Sequence, residues 1–127
     1  MSTSMKLRLV MVALALAWFL SASEAKAQSI SVTSGHYSSR TDYEVDWKGS
    51  YSLPPGVTNY TIEAYIRPST GSWTQGTASW FNLQWSGYGT TDPAAAVSYV
   101  AGRLWYMEGS YWYYVDSNIL PVVSPYN

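Results

Sequence analysis

The stretch Tyr60-Thr61-Ile62-Glu63-Ala64-Tyr65-Ile66-Arg67 changes character at every step, and this period of two recurs throughout the chain after residue 28. A strand sends successive side chains to opposite faces, so Tyr60, Ile62, Ala64 and Ile66 share one face and Thr61, Glu63, Tyr65 and Arg67 the other. No apolar pattern of helical period lasts beyond a turn or two. Strands are expected over 29–34, 42–52, 60–67, 77–85, 94–107 and 111–115, separated by Gly, Pro, Ser and Asn clusters at 54–59, 68–76 and 86–93. The tail from Leu120 to Asn127 is broken by proline and reads as an edge segment or as disordered chain. About seven short strands at this spacing predict an all-β fold, a two-sheet antiparallel sandwich, with a small closed barrel as the rival.

What precedes residue 28 has a different purpose. Lys6 and Arg8 give a positive start, Leu9 to Leu20 an apolar run, and Ala25-Lys26-Ala27 the small-x-small pattern of a signal-peptidase site. The run is short against the roughly 20 apolar residues that span a bilayer. Residues 1–27 are therefore expected to be a cleaved signal peptide and 28–127 a single secreted domain, periplasmic or extracellular, with no membrane insertion after cleavage. The 127-residue sequence contains no Cys, so disulfides and thiolate metal sites are excluded and packing alone must hold the exported domain. Four cations (Arg40, Lys48, Arg67, Arg103) face seven anions after residue 27, a net of −3. That balance argues against nucleic acid, whose phosphates need a basic surface.

A resemblance appears between the second and third strands. Val45-x-Trp47, then twelve residues containing Pro54-Pro55-Gly56, then Tyr60-x-Ile62-x-Ala64-Tyr65 resembles those strands of a fibronectin type III or immunoglobulin-like domain. There a core Trp is followed, across a Pro/Gly loop, by a Tyr-led strand of the facing sheet. The similarity covers about a quarter of the exported chain. It implies an immunoglobulin-like sandwich and no catalytic residue, because such domains mostly bind or space other modules. Trp47, Ile62, Phe81 and Leu83 are the expected core.

The acids of the second strand, Asp42, Glu44 and Asp46, lie two residues apart, hence about 6.7 Å along one face. Inverting glycosidases hold their carboxylates roughly 6.5–9.5 Å apart, but any acid-x-acid strand meets that distance. A general acid also needs a pocket that raises its pKa, and calcium needs oxygens that converge, which a flat strand does not supply. Repulsion of about 0.6 kcal/mol in water at this spacing is easily tolerated on an exposed face, with Lys48 continuing the row. The row reads as the wet side of a strand. His36, the one His, supplies too few ligands for a zinc site. Neither a Gly-x-Ser-x-Gly elbow nor a phosphate-cradling glycine loop is present. No catalytic residue, metal or cofactor is expected, and a hydrolase using Asp42, Glu44 or Asp46 is the remote reading.

The surplus is aromatic. After residue 27 come six Trp, twelve Tyr and Phe81, more than one small core can bury at about 150–250 Å² each. The last hairpin shows where the excess goes. A three-residue loop Met107-Glu108-Gly109 sets Trp105 against Tyr111 and Arg103 against Tyr113 on the outside, with Leu104, Tyr106, Trp112 and Tyr114 inside. A two-residue loop Glu108-Gly109 instead sets Trp105 against Trp112. Arg103, Trp105, Tyr111, Tyr113 and the loop residue Trp73 are thus the candidate binding surface. They fit a non-catalytic extracellular interaction or structural module with an unknown protein or glycan partner, possible self-association included; the alternative is a small carbohydrate-binding protein stacking sugars on Trp and Tyr. Plain cross-strand aromatic pairing that stabilises the sheet is the competing structural reading.

Overall fold

A computed structural model describes residues 28–126; the expected signal peptide, 1–27, and its expected cleavage after Ala27 lie outside the described residues. Among the described residues nine strands follow one another: β1 (Ser29–Tyr37), β2 (Glu44–Ser52), β3 (Tyr60–Pro68), β4 (Thr74–Gln75), β5 (Thr77–Phe81), β6 (Gln84–Thr90), β7 (Val97–Glu108), β8 (Tyr111–Asp116) and β9 (Leu120–Val123). They form two antiparallel sheets, ordered β1-β2-β6-β5 and β4-β3-β7-β8, with β9 continuing beside the other half of β7. The chain is an all-β sandwich. The proline-broken tail is an edge segment, since Leu120–Val123 pairs with Val100–Val97.

Period two places the core as expected over β2, β3 and β7. Val45, Trp47 and Tyr51 from one sheet meet Ile62, Ala64, Ile66, Val100 and Leu104 from the other, all buried. Two indoles fill the middle, and glycines make room for them. A methyl group on Gly87 would lie 2.5 Å from Trp47 Cε2, and one on Gly102 would lie 2.5 Å from Trp85 Cη2. Each buried indole N–H finds a carbonyl, Trp47 Nε1 donating to Ala101 O (3.2 Å) and Trp85 Nε1 to Ser31 O (2.9 Å). Ser98, also buried, is satisfied by the hydroxyls of Tyr37 (3.0 Å) and Thr91 (2.5 Å).

Two expected core residues are not there. Phe81 is 83% exposed and Leu83 49%. The stretch 77–85 is not one strand but the β5–β6 hairpin, which turns at Asn82-Leu83 with φ of 55° and 67°. Two successive positive φ values make a type I′ turn, the form that matches strand twist. Alternation counted straight through puts Phe81, Leu83 and Trp85 on one face; the turn keeps Trp85 (2% exposed) inside and brings its cross-strand partner Trp80 inward in place of Phe81. The expected loop 86–93 is largely strand as a result. A left-handed backbone costs an L-residue roughly 1–2 kcal/mol that glycine escapes, against the roughly 0.5–1 kcal/mol of extra unfolded-state entropy glycine carries. Leu83→Gly is therefore expected to stabilise the domain by about 0.5–1 kcal/mol, read as a higher chemical-denaturation midpoint. A lower midpoint would mean that the Leu83 side chain supplies more than the strain removes.

The last hairpin takes neither of the two weighed registers. Its loop is Gly109-Ser110, with Gly109 at φ 64° and Glu108 opposite Tyr111. Trp105 faces Tyr114, Tyr106 faces Tyr113, and Arg103 faces Asp116. Tyr113 therefore turns inward with Tyr106, while Tyr114 turns outward, the reverse of the expectation. Trp112, expected inside, lies on the outer face opposite Met107.

Between β8 and β9 the pairing with β7 slips by one residue, and Asn118 uses the break. Its amide accepts from Val32 N (2.9 Å) and donates to Val32 O (3.1 Å), fastening the edge of one sheet to the edge of the other.

Candidate binding face

Side chains at alternate positions of β3, β7 and β8 leave the core behind and form the outer face of the five-stranded sheet. From β3 come Glu63, Tyr65 and Arg67; from β7 come Tyr99, Ala101, Arg103 and Trp105; from β8 come Trp112, Tyr114 and Asp116. The register sets Glu63 beside Arg103 and Tyr65 beside Ala101.

Each arginine on this face is stacked. The Arg103 guanidinium lies 4.0 Å from the Tyr114 ring centre and 5.9 Å from that of Trp105. It also donates twice to Asp116, at 2.7 and 3.1 Å. That fork raises the Arg103 pKa despite partial burial, so the group stays charged. Arg67 lies 4.5 Å from Tyr99 and 5.6 Å from Trp73. The Glu63 carboxylate collects two donors on one oxygen, Trp105 Nε1 at 3.0 Å and the Tyr65 hydroxyl at 2.5 Å. Burial, followed by that bond to Glu63, pushes the Tyr65 pKa up to about 12, so Tyr65 remains a neutral donor near neutral pH.

Between the two stacks β7 presents Ala101, the smallest side chain in its outward row. The gap is an open groove of about 310 Å³, walled by Tyr65, Trp73, Arg103, Asp116 and Ile119. Flat rings, a fixed cation and a carboxylate in one depression can hold a ligand by stacking and directional hydrogen bonds.

Of the residues singled out from sequence, Arg103, Trp105 and Trp73 come together on this face. Two do not. Tyr113 stacks on Tyr106 at 5.8 Å between the sheets, and Tyr111, 70% exposed, sits at the hairpin end with its side chain on the inner side. The missed members are Tyr65, Glu63, Tyr114, Asp116, Arg67 and Tyr99. The alternation of β3 already put Glu63, Tyr65 and Arg67 on the face away from Ile62; what it did not supply was the neighbour, β7.

The acidic row lies on the opposite outer surface. Asp42 is exposed, and Glu44 and Asp46 are half-buried among Thr90, His36 and Tyr88. A hydrogen bond to Glu44 is the main cause that raises the Tyr88 pKa. Among the described residues no three His, Cys, Asp or Glu side chains gather closely enough to hold a metal ion. No protein-family model, curated protein or solved structure matches this chain.

Proposed function

We propose that the exported chain is a secreted, non-catalytic immunoglobulin-like module that holds its partner on the outer face of the five-stranded sheet. The strand order supports the immunoglobulin-like reading. An immunoglobulin domain of constant type has strands A, B, E and D in one sheet and C, F and G in the other. Here β1, β2, β6 and β5 stand in the A, B, E and D places, and β3, β7 and β8 with β9 in those of C, F and G, with β4 as a short addition beside C. Secretion rests on the export pattern of residues 1–27.

The observation that carries the function is the groove itself, with Trp73, Arg103 and Asp116 in its wall and Trp105 and Tyr114 beside it, holding the Arg103 guanidinium by stacking. Aromatic and Arg side chains are the usual anchors of interfaces. Partners retained by the immobilised protein are compared with those retained by a Trp105→Ala variant, and each is then titrated. The variant is expected to weaken binding by about 30-fold or more, the size of a hot-spot loss, with an unchanged melting temperature. Equal affinity for both proteins would remove this face from consideration.

A second reading, a carbohydrate-binding protein, is favoured by the size of the groove, which falls at the lower end of small-ligand sites. Quenching of Trp fluorescence by soluble oligosaccharides, abolished by Trp73→Ala, would select it over a protein partner.

A further inference from the structure

A sandwich with two open sheets exposes four edges, and unpaired edges invite pairing unless something blunts them. Three are blunted here. β1 carries a bulge between Val32 and Ser34 and is clamped by Asn118. The β8–β9 edge is broken by its register slip and contains Asp116 and Pro121, and β4 is two residues long. β5 has none of these devices. Its sequence, Thr77-Ala78-Ser79-Trp80-Phe81, contains no charge and no proline, and it pairs regularly with β6 over its full length.

The turn settles which backbone groups are free. A two-residue hairpin loop closes on a hydrogen-bonded pair, here Phe81 and Gln84, and such pairs alternate along the ladder. Thr77, Ser79 and Phe81 thus spend their N–H and C=O groups on β6. Those of Ala78 and Trp80 point away from the sheet, and among the described residues nothing pairs with them.

We propose that two copies of the chain pair antiparallel through β5 about a twofold axis at Ser79, joining their four-stranded sheets into one of eight. In that register Ala78 of each copy exchanges both backbone hydrogen bonds with Trp80 of the other. The side chains are complementary as well. Trp80 lies opposite Ala78 and Phe81 opposite Thr77, large against small each time, and Ser79 faces its own symmetry mate. The exposed Phe81 ring gains a neighbour, and no like charges meet. So short a strip buries far less than the roughly 1,200 Å² of a stable interface, so the pair is a concentration-dependent dimer, not an obligate one. The surface is separate from the binding face that carries Trp105, which lies on the other sheet.

The test uses the absence of Cys. Residues at a non-hydrogen-bonded antiparallel pair have Cα atoms about 4.5 Å apart, inside the roughly 4.4–6.8 Å range of a disulfide. Ser79→Cys in the exported protein is expected to oxidise to a covalent dimer, whereas Ser72→Cys, equally exposed in a loop, is expected to remain monomeric. In sedimentation equilibrium the unmodified protein should dimerise with rising concentration. Ser79→Lys, which sets two ammonium groups face to face, should raise the dissociation constant about tenfold or more without lowering the melting temperature. Trp105→Ala should dimerise normally, so failure of this pairing and failure of the groove reading are told apart. A protein that stays monomeric at every concentration, or a Ser79→Cys variant that cross-links no better than Ser72→Cys, overturns the proposal. A β5 edge reserved for a strand of some other protein would give that same result.

Discussion

Trp47→Ala is expected to cost about 3–5 kcal/mol and to leave the domain largely unfolded at physiological temperature. Trp47 is 2% exposed and wedged between the two sheets, against the bare faces of Gly87 and Gly89. Those glycines cannot grow inward to fill the space, and the backbone on either side is held by two sheet ladders, so the cavity persists. Truncation also strips the Ala101 carbonyl of its indole donor, a further destabilisation of roughly 1 kcal/mol or more. With no disulfide anywhere in the sequence to restrain the unfolded chain, nothing offsets this loss. Since about 1 kcal/mol moves the melting point of a domain this size by roughly 4–8 °C, calorimetry should record a fall of more than about 15 °C, or no transition. Trp105→Ala is the internal control, because that ring lies partly buried on the outer face of the sheet and not between the sheets, so its removal opens no enclosed cavity. A Trp47→Ala protein that melts within a few degrees of the unmodified one would show that the sandwich core does not depend on this indole.

The residues that alternation alone placed correctly are those on strands with a legible start and end. Trp47 and Ile62 were expected inside and are, and Glu63, Tyr65 and Arg67 were expected opposite Ile62 and are. The errors concentrate at turns, where one residue of slip exchanges inside for outside. Asn82-Leu83 carries no glycine, and only Asn82 is of a type that favours a left-handed backbone; alternation counted through the turn therefore sends Phe81 and Leu83 inward, although the chain reverses between Phe81 and Gln84. Gly109-Ser110 was more readable. Glycine followed by Ser is a recognised hairpin loop, and taking it would have paired Trp105 with Tyr114 and Arg103 with Asp116. The face therefore emerged from sequence with Arg103, Trp105 and Trp73 in place and its β8 partners exchanged. Pairing between β3 and β7 is illegible for a different reason, since strands whose paired residues lie 30 to 46 positions apart are matched by the whole core and not by any local signal. Gly49 and Gly102, glycines inside the expected strands 42–52 and 94–107, are the sequence signal of the packed indoles, because an interior strand glycine often marks the close approach of another group.

Gly49 gives the second large effect. Gly49→Ala is expected to destabilise by about 3 kcal/mol or more, although it adds a single methyl group to a strand. That methyl would lie 1.7 Å from the carbonyl oxygen of Ser31 and 3.0 Å from Trp85 Nε1. The first neighbour is backbone, so no rotamer change relieves the clash. The contact exists because the Ser31 carbonyl leans over the bare Gly49 Cα to accept the indole N–H of Trp85 at 2.9 Å, just before the bulge that follows Val32. Adding the methyl forces β1 off β2 at this point, breaks the Trp85 bond, and strands a buried indole N–H. Ser50→Ala, one residue along, removes only the part-buried Ser31–Ser50 hydroxyl contact of 3.2 Å and is expected to change stability by less than about 1 kcal/mol. Denaturation midpoints for the two variants compare backbone intrusion with hydroxyl loss at neighbouring positions of one strand. Were Gly49→Ala as stable as Ser50→Ala, the Ser31 carbonyl could not be held over Gly49, and the account of how Trp85 is seated would fail with it.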